Sequence, residues 1–291
     1  MKNSIKLLVI ILFSFVLNCK NNKNQKEEIA QEDKWISLFN GKDLTGWDTN
    51  LGMHYEEGQD IWNQKALTNY KPFGINNDSL KVFSVVEVDG EAALRLSGEV
   101  YGGISTVDEF ENYHLQVEFK WGTLKFAPRL DVVRDSGILY HGNGEQGTEA
   151  GFWLRSQEMQ VQEGDCGDYW GIAGAQVNVR TEMRADSLYQ YNPKGELRHF
   201  GDGSELGRNV KKFPDAEKPT GEWNTLDLYT FGDKSAHVVN GAVTMILENS
   251  RITIDSITKP LTKGKIQLQV EGAEIYYRHI KIKTLDEFPE F

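Results

Sequence analysis

Ser156 to Trp170 reads SQEMQVQEGDCGDYW and packs carboxamides and carboxylates into a stretch that otherwise has the spacing of a β-strand. Period-two alternation sends Glu158, Gln160 and Gln162 to one face and Met159 and Val161 to the other. A second run, Lys265 to Glu271, repeats the pattern, with Gln267, Gln269 and Glu271 opposite Ile266, Leu268 and Val270. A solvated outer face would favour Thr and Lys. Carboxamides both donate and accept, and carboxylates accept, so rows of them suit the hydroxyls of a carbohydrate. The expectation is a polar floor shared by both runs, which requires the two strands to lie in one sheet.

Other side chains could act around such a floor. His141 ends the run DSGILYH just before a glycine-rich loop, and alternation puts it on the side of Leu139. A histidine there could be a general base, or with Glu158 hold a divalent cation; it could equally be a structural hydrogen-bonder. Arg155 could neutralise an oxyanion or pair with an acid. In EGDCGDYW, Asp165 and Asp168 are either cation ligands or turn formers, and Trp170 or Tyr169 is expected to face a ligand. Cys166 has no basic neighbour in sequence to lower its pKa, so it reads as a buried thiol and not a nucleophile.

The elements that must position these groups are strands. YHLQVEFKW alternates His114, Gln116, Glu118 and Lys120 with Leu115, Val117, Phe119 and Trp121, a half-buried antiparallel strand. In HVVNGAVTMIL, Asn240-Gly241 separates two apolar runs and predicts a hairpin with positive φ at both central residues. IYYRHIKIK predicts a closing strand, and Asp186 to Thr220 reads as long excursions between strands, of the kind that rim binding sites. No amphipathic helix is evident beyond the N-terminal region. The fold class is all-β, a jelly-roll sandwich of two antiparallel sheets.

The N-terminus carries Lys2 and Lys6 and then an apolar run from Leu7 to Leu17, which has the length of a signal-peptide core and is too short to span a bilayer. Cys19 follows where a bacterial lipoprotein is cleaved and lipidated. The expected organisation is a lipoprotein signal over 1–18, a disordered polar tether over 19–33 and one domain over 34–291, exported and lipid-anchored, on the periplasmic side of the outer membrane. With Cys19 lipidated, Cys166 has no disulfide partner. The formal net charge of −11 argues against nucleic acid as a partner.

WISLFNGKDLTGW, Trp35 to Trp47, resembles the opening signature of the bacterial 3-keto-disaccharide hydrolases, also described as 3-keto-glucoside 1,2-lyase/3-keto-2-hydroxy-glucal hydratases. DSGILYH, QEMQVQEGD, GEWNTLDLYTFGD, HVVNG, IQLQVEG and YYRHIKIKTL follow in family-like order, so the resemblance covers Trp35 to Leu285. It departs at Arg278-His279, where the family usually has Arg-Asn, and at Asp135, where simpler members have Asn-Ser-Gly; Phe126 to Leu154 reads as a subtype insertion. The resemblance implies a concanavalin A-like jelly roll acting on oxidised (3-keto) glycosides or oligosaccharides, downstream of a sugar oxidoreductase. It implies catalytic roles for His141, Glu158 and Glu271, with Glu163 and Arg155 in reserve, and substrate contacts from Gln160, Gln162, Gln269 and Trp170. A divalent metal ion is a candidate cofactor, at His141 and Glu158; no nucleotide cofactor is expected.

Two rival readings stand beside it. Glu158 and Glu163 have the spacing of the paired glutamates of jelly-roll glucanases, where a β-bulge turns both to one side, although Gln160 replaces the central acid. A non-catalytic carbohydrate-binding surface lipoprotein is the other.

Overall fold

The alternating runs pair into two antiparallel sheets in a computed structural model that describes residues 34–291. The leader, Cys19 and the tether lie outside the described residues. Trp35–Phe291 forms one unit. The larger sheet has 12 strands and is organised around Tyr113–Lys125, which lies between Asn224–Phe231 and Ala273–Thr284. The smaller has eight, in the spatial order Asn209–Val210, Tyr169–Ile172, Arg155–Gln162, Asp135–Asn143, Lys265–Val270, Gly102–Thr106, Trp47–Leu51, Gly74–Ile75.

The core fills the space between the sheets. Leu115, Val117 and Phe119 of the larger sheet meet Ile138, Met159, Val161, Ile266, Leu268 and Val270 of the smaller, all fully buried. These are the apolar halves of the alternating runs, so one face of each strand is committed inward and the other is presented outward. Neighbours along the chain often sit far apart in the sheet order, which makes the sandwich a jelly roll and not a meander.

The hairpin at Asn240-Gly241 has φ of 49° and 81° at its central residues, between strands Lys234–Val239 and Ala242–Ile254. The excursion from Asp186 to Thr220 is more ordered than its composition suggests: Tyr189–Tyr191 and Glu196–Gly201 both pair with Ala175–Met183, because Tyr191 and Phe200 pack against Val177 and Val179 in a second small core. A third cluster, Ile61, Tyr101, Leu139, Phe152 and Trp153, lies apart from the main core; it includes the outward-facing Leu139 and residues of the loops over the smaller sheet. Among the described residues no helix is long and apolar enough to cross a membrane.

Candidate active site

The three central strands of the smaller sheet fix the site by their register. Arg155–Gln162 and Lys265–Val270 flank Asp135–Asn143 on its two sides, so the two polar runs lie in one sheet, separated by one strand. Asp135 pairs with Gln162, Gly137 with Gln160, and Leu139 with Glu158. On the other side Leu139 pairs with Gln267, Ile138 with Leu268, and Asp135 bridges Glu271. Asp135 therefore stands between Gln162 and Glu271, and Gly137 lies between Gln160 and Gln269. At Gly137 the absence of a side chain is required: a Cβ would overlap the Glu158 carboxylate and come within 3.2 Å of Gln269 Oε1. The middle strand is bare where its neighbours' long polar side chains reach across it.

Above this floor is a cavity of about 230 Å³ lined by Asp135, Glu158, Gln160, Gln162, Gln269 and Glu271. Its walls come from Trp62 of the 3-10 helix Ile61–Ala66 and from the loop residues Arg129, Trp153 and Arg208, with Trp170 and Ile172 from the neighbouring strand. Trp62 is 48 % exposed, and its ring lies 5.5 Å from that of Trp153, whose indole N–H donates to Gly102 O at 2.8 Å. Such an apolar wall over a polar floor suits the two faces of a sugar ring.

Arg129 organises the charges. Its Nη1 lies 2.8 Å from Glu271 Oε1 and its Nη2 lies 2.8 Å from Asp135 Oδ2. The loop that carries it is tied to the sheet by Phe126 N donating to Gly272 O at 2.8 Å. The same Asp135 oxygen accepts from Gln162 Nε2. One guanidinium thus serves two buried carboxyl groups, with Glu158 close by. Burial raises Asp135 to about 7 against the opposing pull of Arg129 and Gln162. Burial, with Asp135 adding to it, also holds Glu158 and Glu271 well above the usual carboxylate range. Burial thus favours the protonated forms of Glu158 and Glu271 while Asp135 titrates near 7, a division of labour suited to acid–base chemistry.

Four acceptor oxygens of this floor, Asp135 Oδ1, Glu158 Oε1, Gln160 Oε1 and Gln269 Oε1, are buried without a protein donor. Buried polar atoms are normally paired, so these are set for donors that arrive with a ligand.

The residues expected from sequence divide cleanly. Glu158, Gln160, Gln162, Gln269, Glu271 and Trp170 converge on the cavity. His141 does not line it. A register shift between Tyr140 and Asn143, with φ of 55° at His141, breaks the alternation that put it beside Leu139. Its ring instead lies against Tyr113 and Tyr140, and Tyr113 belongs to the core. Burial depresses it to about 4, so it is neutral. Arg155 donates to Ala173 O at 2.7 Å and takes no part in the cavity. Glu163 lies beyond the strand end, 2.9 Å from Arg134 Nη1. Burial would raise its pKa, but hydrogen bonds from Thr220 and the Arg134 amide outweigh that and lower it. No register shift between Arg155–Gln162 and either neighbour turns Glu163 to the side of Glu158, so the glucanase-type pair is not assembled. Asp165 and Asp168 both pair with Lys211, at 3.0 and 2.9 Å, and hold a turn. Tyr169 points inward, donating to Gln157 Oε1 at 2.7 Å, and Cys166 is fully buried.

A divalent cation at His141 and Glu158 does not fit, since His141 faces the core. Among the described residues no group of three or more His, Cys, Asp or Glu side chains converges as a metal site. The cation between Asp135 and Glu271 is the guanidinium of Arg129.

Arg129, Asp135, Gly137, Trp62, Trp153 and Arg208 were not marked as site residues by sequence reasoning. Asp135 had a signal, as the first residue of a strand whose neighbours were already marked. Arg129 and Arg208 had none, because loops carry no periodicity that says which side chain turns inward.

Comparison with known proteins places the chain as follows. A family profile described as a 3-keto-alpha-glucoside-1,2-lyase-like domain matches residues 34–283. No curated protein matches. Among solved structures, a protein from Parabacteroides distasonis provisionally assigned as a glycosyl hydrolase is 21 % identical with a TM-score of 0.47, covering 90 % of this chain and 97 % of that one. A Bacillus licheniformis β-glucanase is 13 % identical with a TM-score of 0.40, covering 86 % and 97 %. The carbohydrate-binding module CBM66 of Bacillus subtilis is 7 % identical with a TM-score of 0.39, covering 69 % and 92 %.

Proposed function

The chain belongs to the 3-keto-alpha-glucoside-1,2-lyase-like family, and from that premise we propose that it cleaves glycosides already oxidised at C3 by elimination followed by hydration. A ketone at C3 acidifies the C2 hydrogen, so a carboxylate of moderately raised pKa is base enough to remove it. Asp135 suits that role: Oδ2 is occupied by Arg129 and Gln162, while Oδ1 is without a partner. The C2 proton passes to Asp135, and the electron pair becomes the C2–C3 enolate, which the guanidinium of Arg129 stabilises.

The enolate then collapses. The C3 carbonyl re-forms, the C1–C2 double bond forms, and the C1–O bond breaks as Glu158, whose protonated form burial favours, gives its proton to the departing oxygen. In the second half water adds at C1 and yields a proton to Glu158, while C2 regains one from Asp135. The net outcome is hydrolysis. Gln160 and Gln269 accept from the sugar hydroxyls and hold the ring over Gly137.

The observation that carries this reading is the set of unpartnered acceptor oxygens beside three buried carboxyl groups, two of which, Asp135 and Glu271, share one guanidinium. The test is a 3-keto disaccharide deuterated at C2. The expected result is a slowed turnover or loss of the label to solvent. Retention of the label with equal turnover of the unoxidised disaccharide would sink the elimination route. Binding with no cleavage of either sugar would favour a carbohydrate-binding role.

A further inference from the structure

The catalytic cavity, at about 230 Å³, falls below the roughly 300–1,000 Å³ typical of sites that enclose a whole small-molecule ligand. It accommodates the oxidised ring and leaves the group on C1 outside. A second cleft, of about 310 Å³, adjoins it and shares two wall residues, Trp170 and Arg208. The second cleft lies over the excursion between Ser187 and Asn209, which the reaction outlined above does not use.

Its chemistry differs from that of the floor. Tyr189 and Trp170 provide aromatic surface, and Leu188 and Leu206 stand 44 % and 37 % exposed beside them. Two of its polar side chains are already engaged: Arg208 Nη1 lies 3.1 Å from Glu149 Oε1, with its guanidinium 5.6 Å from the Trp170 ring, and Asn209 Nδ2 donates to Tyr169 O at 2.9 Å. Its other polar side chains, Ser187 and Glu205, are exposed to water, whereas the unpartnered acceptors of the floor are buried. A second pyranose needs hydrogen-bond partners for its hydroxyls, whereas a planar apolar group needs contact area.

We propose that this cleft is the leaving-group subsite and that it selects glycosides with an aromatic, largely apolar aglycone over disaccharides. The inference rests on the 3-keto-glycoside reading for the orientation of the substrate, with the C1 substituent passing between Trp170 and Arg208. Exposed leucines and aromatic faces then bury surface against an aryl ring, and one apolar contact of this kind is worth about ten- to two-hundredfold in discrimination.

The experiment separates the cleft from the chemistry. Binding of unreactive phenyl glucoside, methyl glucoside and a glucose disaccharide is measured by calorimetry on the mature protein, on Leu206→Asp and on Leu188→Asp. Both leucines are exposed, and unfolding temperatures check that the variants are folded. The expected result is at least tenfold tighter binding of phenyl than of methyl glucoside or disaccharide in the parent, and a phenyl-to-methyl ratio falling towards one in both variants. Equal affinities in the parent, tighter binding of the disaccharide, or a preference that survives both substitutions would overturn the subsite. Turnover of 3-keto methyl glucoside, which needs no aglycone contact, reports separately on the elimination reading.

Discussion

The carboxylate of Glu158 occupies the space that a side chain at Gly137 would fill, one strand away. The middle strand is therefore bare at Gly137 and carries its reacting group, Asp135, only at its start, while Glu158 reaches over it from the neighbouring strand.

Gly137→Ala should consequently displace the Glu158 carboxylate while leaving the backbone undisturbed, since Gly137 is not among the positive-φ residues. Because the obstructed atom is the end of a side chain, the stability loss should stay within about 1–3 kcal/mol. The loss in kcat/KM on a 3-keto glycoside should reach about 10²-fold or more. Steady-state kinetics with a denaturant melt measures both, and an unimpaired enzyme would show that Glu158 is not required where it stands.

Arg129→Met leaves Asp135 and Glu271 buried without their cation, a change that typically costs about 3–5 kcal/mol. The cost should depend on pH. Both folded pKa values already lie above their unfolded values and rise further without Arg129, so the folded state binds more protons than the unfolded chain and stability falls with rising pH. The deficit relative to the parent should thus be small near pH 5 and large near pH 8. Melts across that range check it; a constant deficit would mean that Arg129 acts by packing alone.

The pH–rate profile should have an acidic limb near 7, where Asp135 gives up its proton. Gln162→Ala removes a hydrogen bond that lowers Asp135 and should move the acidic limb upward. An acidic limb that stays in place in this variant would remove Asp135 as the base.

His141→Phe should leave kcat/KM within a few-fold of the parent, because His141 faces the core. The substitution should instead alter stability in acid. His141 is depressed to about 4 in the folded state from an ordinary value of 6.5, so the unfolded chain binds the extra proton and stability is lost as pH falls below about 6.5. The parent should lose this contribution between about pH 6.5 and 4, and the variant should not. A loss of several orders of magnitude in activity would return His141 to the site.

The sequence by itself determined the strands and the outward polar rows. Alternation is local, read from consecutive residues, and the inward halves are dictated by the need to bury Met159, Val161, Ile266, Leu268 and Val270. It thereby identified Glu158, Gln160, Gln162, Gln269 and Glu271 as facing the same way, and the Asn240-Gly241 turn. The tertiary structure alone decided how far each row extends and what stands between the rows. One register shift after Tyr140 turned His141 inward, and the end of the strand at Gln162 removed Glu163. Arg129, Trp62, Trp153 and Arg208 come from the connections between strands, Trp62 and Arg208 from connections tens of residues from the floor, and no period in the chain marks their direction. Their placement is fixed by contacts made only once the sheet has formed, among them the carboxyl pair Asp135 and Glu271, which become neighbours when two distant strand ends bridge and whose buried charge Arg129 then offsets.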